Sequence, residues 1–434
     1  MDPLAAPPWL ALFDPRDTTS VPCFRRSRGM ESLSDLDRRW IMEEHWSNKS
    51  RIESLDGLRG IAALMVVLGH SLLAQPFYWA LYFGPSAGQP SQWDWMRTTP
   101  LRLIWSSDKA VILFFVLSGF VLALPWVNGR QKSYSNFFIS RIYRIGIPYY
   151  VAMFLGGGLA TLIAGRHIDG ASDWVNLYGW ANHVSPLSIP GTILMLGNQY
   201  STWLDNVTWT LVWEMRVSFL FPFLVIPVLR WGLRGVGAVA VSLWVLYALG
   251  GMLDSAFAPA SAMLGNPYKT FYYAAFFLLG ITIARYRDTL TGMTSLGRGA
   301  GSTLLVLLAS CVWLHKWNIH YPDVMKAVGA ALFLIAAASV GIARSWLNTA
   351  PVQWLGRVSY SLYLIHVPII LTGEYLLYPR YSHVTIVCIA APLSLVCAEI
   401  FYRLVERPAH AFGRHLVRQR ETVANKIRAD IEVA

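Results

Sequence analysis

From about residue 60 onward the chain is a succession of long apolar runs separated by shorter polar ones. Ten runs of roughly 17–23 residues, the helix length that crosses ~30 Å of hydrocarbon, lie near 60–81, 109–127, 145–165, 207–229, 235–253, 270–284, 302–317, 325–343, 358–378 and 384–404. The pattern predicts an all-α protein, a polytopic transmembrane helical bundle of about ten membrane-spanning helices. Gly and Pro interrupt several runs, which membrane helices tolerate when neighbouring helices satisfy the freed backbone groups. Residues 1–50 read differently. They mix Arg25, Arg26 and Arg28 with Glu31, Asp35 and Asp37. The opening MDPLAAPPWLALF has no basic stretch and is broken by Pro3, Pro7 and Pro8, so no cleaved signal is expected. The expected division is an N-terminal cytoplasmic tail (1–50), a membrane domain (51–410) and a basic C-terminal tail (411–434).

Composition sharpens this picture. Of 434 residues 55% are hydrophobic and 14% charged, against about 25% charged in soluble domains. An ordinary soluble enzyme, a disordered chain and a disulfide-rich module are excluded. Cys23, Cys311, Cys388 and Cys397 lack metal-ligand spacing, so no metal site is expected and they read as small buried apolar residues. The net charge of +11 points to membrane topology, not to nucleic acid. With the N-terminus inside, about 27 of the 36 Lys and Arg residues fall on inner segments. An even number of spans then returns the C-terminus to the same side, making both termini cytoplasmic.

The 19 Trp and 20 Tyr suit interfacial belts or packing. Two long outer loops, roughly 82–108 and 166–206, are expected to cap the bundle and contact a substrate. Asn206-Val207-Thr208 is a sequon, but it abuts the fourth span and is expected to stay unmodified. Gly84-Pro85-Ser86-Ala87-Gly88 matches a nucleophile-elbow pattern without the strand-to-helix context that motif needs. Gly156-Gly157-Gly158 reads as a close-packing site. Neither a Walker A sequence nor H-E-x-x-H is present.

Ionisable residues at bilayer depth each require a reason. They are His70, Glu214, Arg216, His366, Glu374 and Glu399. Arg59 and His70 are eleven residues apart, about 20° past three helical turns, so they share a face about 16 Å apart along the axis. That stripe suits a long ligand with an anionic head and a reactive end, or His70 is simply hydrogen-bonded to a neighbouring helix. Arg141 and Arg144, at i and i+3, can point the same way at the inner interface. There they clamp phosphates or anchor to anionic lipid. Pro148 is expected to open the third span.

Glu214 and Arg216, at i and i+2, each need a partner on another helix. Glu214 can orient His70 or an acceptor hydroxyl, or form an inter-helix ion pair. His366 either lines the cavity as a second polar group or bonds a backbone carbonyl freed one turn before Pro368. Glu399 and Arg403 form a helix-stabilising i, i+4 pair.

These residues fall into motifs that resemble the acyltransferase 3 family of integral membrane acyltransferases. Leu55-Asp56-Gly57-Leu58-Arg59-Gly60 with His70 eleven residues after Arg59 resembles its opening signature. Phe114-Phe115-Val116-Leu117-Ser118-Gly119-Phe120 resembles its second-helix motif, and Arg141-x-x-Arg144 its R-x-x-R element. Trp209-Thr210-Leu211-x-x-Glu214 resembles W-S-L-x-x-E, with Thr for Ser. Ser359-Tyr360-Ser361-Leu362-Tyr363-Leu364-Ile365-His366-x-Pro368 and Glu406-Arg407-Pro408 resemble the two closing motifs. The resemblance covers about residues 51–410, and the family's typical ten-helix core agrees with the span count.

The resemblance implies an acyl-CoA donor, acetyl-CoA above all, arriving from the cytoplasm, with no tightly bound cofactor. The acceptor is a hydroxyl-bearing sugar, lipid or small molecule. His70 is then the catalytic residue with Glu214 as its helper, and Arg59, Arg141, Arg144, Asp56, Ser118 and His366 are substrate-binding candidates. Some members carry an added hydrolase-like C-terminal domain; only the basic tail is expected here, so a transfer needing that domain is not expected. Besides the lipid bilayer, the donor and the acceptor, no nucleic acid partner is expected. His70 is the expected general base, with an acyl-histidine intermediate as the competing mechanism. A transporter of a small organic substrate is the alternative class, since polar groups in a helical bundle suit it as well. A non-catalytic membrane sensor is the third.

Overall fold

A computed structural model describes residues 52–83, 91–131, 133–163, 167–180, 189–197, 204–254, 256, 264–294, 300–315, 322–339 and 341–433. The N-terminal tail and the Gly84–Gly88 stretch lie outside the described residues. The described part is helical, without strands. Its main elements are α1 (Glu53–Leu73), α2 (Pro76–Tyr82), α3 (Ser107–Val127), α4 (Tyr134–Arg141), α5 (Ile147–Ile163), α6 (Asp173–Tyr178), α7 (Trp209–Trp231), α8 (Leu233–Leu253), α9 (Lys269–Arg285), α10 (Ala300–Leu314), α11 (Pro322–Ala338), α12 (Ala350–Leu377), α13 (His383–Phe401) and α14 (Arg407–Val433).

Every expected span overlaps a helix, but among the described residues seven helical stretches are long and apolar enough to cross a membrane. The remaining three, α9, α10 and α11, have 17, 15 and 17 residues. The first helix begins at Glu53, not near residue 60, because its first turn carries Glu53 and Asp56, acids that suit the positive end of a helix dipole. Arg59 is therefore inside the helix and His70 lies close to its far end.

The third span departs most from expectation. It is continuous from Tyr134 to Ile163, with a π turn over Ile142–Gly146 joining α4 to α5. Pro148, two residues beyond that turn, has no N–H to give to the Arg144 carbonyl and its ring crowds that oxygen. The wider π turn relieves the crowding, and His410 Nε2 lies 3.4 Å from the Arg144 oxygen. A second π turn, Tyr402–Glu406, precedes Pro408 in the same way and joins α13 to α14.

The core of the bundle is a close pairing of α1 with α12. A Cβ on Gly60 would strike the backbone of Leu355 and Gly356, and one on Gly356 would strike the backbone of Asp56. Small residues let membrane helices approach this closely. From that contact both helices run in the same direction with the same spacing. Gly60, Ala63, Val67 and His70 recur at intervals of three and four, as do Gly356, Ser359, Tyr363 and His366. This is the spacing of a parallel coiled-coil seam, and all eight positions are buried except the half-buried His70. A second glycine crossing, Gly119 on Phe277 and Gly280 on Val116, joins α3 to α9. Of the Gly156–Gly158 run, Gly156 approaches the Leu204 carbonyl while Gly158 faces open space. Cys311 and Cys388 are exposed on the bundle surface and Cys397 is half-buried, so these three are not core residues.

Candidate active site

Two polar clusters lie along the α1–α12 pair. The first is ionic. Arg141, from the last turn of α4, places Nη2 at 2.7 Å from Glu214 Oε1 on α7. Its Nε donates to Ser218 Oγ at 3.2 Å. Ser118 of α3 donates to the same carboxylate oxygen at 3.0 Å. Arg141 and Ser118 are buried. Glu214 is thus in an inter-helix ion pair and not hydrogen-bonded to His70, and Arg141 is buried between the helices and committed to that carboxylate. Ser118 serves that carboxylate.

Arg144, one π turn further on, lies within electrostatic reach of Arg59, Arg141, Glu214 and Glu406. Glu406 accepts from Ser361 Oγ at 2.5 Å, and Tyr360 donates to the Ile145 carbonyl at 2.9 Å. Neither Arg59 nor Arg144 has a side-chain hydrogen bond or ion pair among the described residues, and both are half-buried. Two guanidiniums within electrostatic reach of each other and without a side-chain partner among the described residues can hold phosphate oxygens. Asp56 lies in the first turn of α1 with its backbone against Gly356.

The second cluster is formed of aromatic rings. His70 Nδ1 lies 2.9 Å from His366 Nε2, and His366 Nδ1 lies 3.0 Å from the Leu362 carbonyl. The carbonyl is the one a turn before His366 itself, not the Leu364 oxygen that Pro368 leaves free, and the ring serves His70 as well. Trp174, from α6, lies nearly parallel to His70, 5.5 Å between centroids. Tyr363 hydrogen-bonds Thr210 at 2.8 Å and stands 6.1 Å from the His366 ring. His70 Nε2 has no partner among the described residues, but it is not a sealed polar atom, because the ring is partly exposed.

Other charged residues at bilayer depth find separate partners. Arg216 donates to the Leu196 and Leu264 carbonyls and lies over Trp213 at 4.4 Å. It lines an apolar cleft of about 530 Å³ between α7, α8 and α9. Glu374 meets His383 at 2.6 Å. Glu399 pairs with Arg403 at 2.5 Å as expected, and also accepts from Trp354.

Two residues escaped the sequence reading. Trp174 belongs to a long loop whose only signal was its length. Asp205, in the turn before α7, is fully buried with Oδ2 unpartnered; burial pushes its carboxyl well above the usual carboxylate range, against the Val207 N–H that pulls it down. The His70–His366 pairing did leave a sequence signal. In both helices the histidine follows the crossing glycine by the same interval, Gly60 to His70 and Gly356 to His366.

A family model of an acyltransferase domain, acyltransferase 3, matches residues 52–403. The acyltransferase MdmB of Streptomyces mycarofaciens is 28% identical over 358 residues, 75% of this chain and 81% of that protein. The putative peptidoglycan O-acetyltransferase YrhL of Bacillus subtilis is 22% identical over 410 residues, 83% of this chain but 55% of that longer protein. The O-acetyltransferase PaAT-1 of Phomopsis amygdali is 29% identical over 144 residues, 31% of this chain and 25% of its own. No solved structure matches significantly.

Proposed function

Because the chain belongs to the acyltransferase 3 family of integral membrane O-acyltransferases, we propose that it moves an acetyl group from acetyl-CoA to a hydroxyl of a sugar, lipid or small-molecule acceptor. Two relatives named O-acetyltransferases support the acyl group. The observation that carries the reading is the half-buried His70 imidazole on the same helix face as Arg59, about 16 Å along the axis, with Arg144 within electrostatic reach of Arg59. That span suits a donor with phosphates at one end and a thioester at the other. The cluster around Arg59 faces the cytoplasm, where acyl-CoA resides, and both termini lie on that side.

In this mechanism Arg59 and Arg144 hold the donor's phosphates. Arg141 is kept in place by Glu214 and Ser118 and adds to the positive potential without touching the donor. His70 Nε2 removes the proton of the acceptor hydroxyl as its oxygen attacks the thioester carbonyl. The oxygen–carbon bond forms, the carbon–sulfur bond breaks, and the proton passes from His70 to the departing sulfur, leaving free CoA thiol. General-base help of this kind is worth roughly 10²–10⁴-fold. Trp174 covers His70 and limits water at the reacting carbonyl.

The test supplies radiolabelled acetyl-CoA to membrane vesicles carrying the protein, together with a lipid and envelope-glycan extract of the host cell. Label is expected to enter an extractable ester with the wild type and not with His70→Ala. Equal label transfer by the two would overturn the reading. Flux of a solute without acetyl-CoA would favour a transporter instead.

A further inference from the structure

Both ring nitrogens of His366 are committed. The Leu362 carbonyl oxygen, 3.0 Å from Nδ1, can only accept, so Nδ1 carries the hydrogen. An uncharged imidazole has one N–H, so Nε2 presents a lone pair. That lone pair faces His70 Nδ1 at 2.9 Å, which must then be the donor. His70 carries its hydrogen on Nδ1 and leaves Nε2 bare. The ring arrangement agrees. The two planes differ by 12° and the centroids are 5.2 Å apart, which exceeds the N···N distance by only a ring radius at each end. The nitrogens therefore lie on the line joining the rings, in their common plane. This is the geometry of a directed hydrogen bond, not of a face-to-face stack.

We propose that His366 is a positioning residue that holds His70 in the tautomer whose Nε2 is the base. The proposal rests on the reading of His70 as the general base. The chain of donors runs from His70 Nδ1 to His366 Nε2, and from His366 Nδ1 to the Leu362 oxygen on the same helix. It fixes which nitrogen faces the acceptor and the plane in which it points. When Nε2 takes the acceptor's proton, the same Nδ1–H bond becomes charge-assisted and strengthens. A carboxylate in place of His366 would do the same at the cost of burying a formal charge among apolar helices. A neutral acceptor anchored to a carbonyl avoids that cost. His366 is fully buried and touches no substrate in this scheme, so its action is exerted through His70.

The experiment compares wild type, His70→Ala, His366→Phe, His366→Asn and His366→Gln in reconstituted vesicles. It measures kcat and KM for radiolabelled acetyl-CoA at a fixed excess of acceptor extract, with folding checked by thermal melting. The Gln amide oxygen can reach the place of His366 Nε2 and accept from His70; the shorter Asn amide and the Phe ring cannot. Expected are a fall in kcat of about 10²-fold for Phe and Asn, an unchanged KM, and recovery to within a few-fold of wild type for Gln. If Phe fails to fold, the Asn and Gln pair decides. Equal kcat for Asn and Gln, or a Phe variant within a few-fold of wild type, would overturn the positioning role while His70→Ala remained inactive. Activity in His70→Ala would instead overturn the general-base reading beneath it.

Discussion

Around Arg59, Arg141 and Arg144 the bundle gathers formal charge; around His70 and His366 it gathers aromatic rings. The ionic cluster contains three guanidiniums and two carboxylates, Glu214 and Glu406, and two of its guanidiniums have no partner among the described residues. The ring cluster is held by one in-plane hydrogen bond, one carbonyl and one parallel indole. Charge attracts anions over a distance and tolerates loose geometry. Neutral hydrogen bonds act over one bond length and dictate direction. In the proposed mechanism that difference separates holding a substrate from reacting with it.

The first way to sharpen that contrast is to remove the ring. His70→Ala is expected to cut transfer by roughly 10²–10⁴-fold with an unchanged melting temperature, read by label transfer and differential scanning fluorimetry. The same substitution in the ionic cluster acts on folding instead. Glu214→Ala leaves Arg141 buried without its carboxylate, and removing one member of a buried pair costs about 3–5 kcal/mol. The measurement is yield of folded protein and midpoint of unfolding; the double variant Arg141→Met with Glu214→Leu is expected to recover much of the stability but not the activity.

A smaller effect follows from Arg144→Ala. It is expected to raise KM for acetyl-CoA about tenfold through lost phosphate contacts, leave kcat nearly unchanged, and weaken the salt dependence of KM. An equal fall in kcat would break the division between holding and reacting. The smallest effect concerns Asp205, which belongs to neither cluster. Its carboxyl is raised in the folded state, so folding favours its neutral form and loses stability as pH rises above the ordinary carboxylate range. Asp205→Asn should therefore raise the melting temperature by a few degrees at pH 7, and the gain should vanish near about pH 4.

Much of the fold was legible in the sequence because hydropathy reports burial in lipid directly. Each apolar run overlaps a helix, the first of them two, α1 and α2. Its edges were less legible: α1 starts earlier than its apolar run, since Glu53, Asp56 and Arg59 are helical residues outside the hydrocarbon pattern. The site was legible in its members and not in their pairing. Glu214 and Arg141 are 73 positions apart and no periodicity links them. The prolines at 148 and 408 were visible, but their effect, a π turn just before each, depends on which carbonyl each ring meets. The His70–His366 bond was within reach of the sequence, because the glycine and the histidine keep the same interval in α1 and in α12.

That shared interval makes the helix pair behave as a caliper. The fulcrum is the contact of Gly60 with Gly356, and the jaws are two imidazoles about 15 Å up the axis. A methyl group added at the fulcrum would shift the jaws without touching them, so the spacing of the two rings is set in part by residues about three helical turns away. Variation in turnover among related chains is then to be sought at this hinge as well as at the rings.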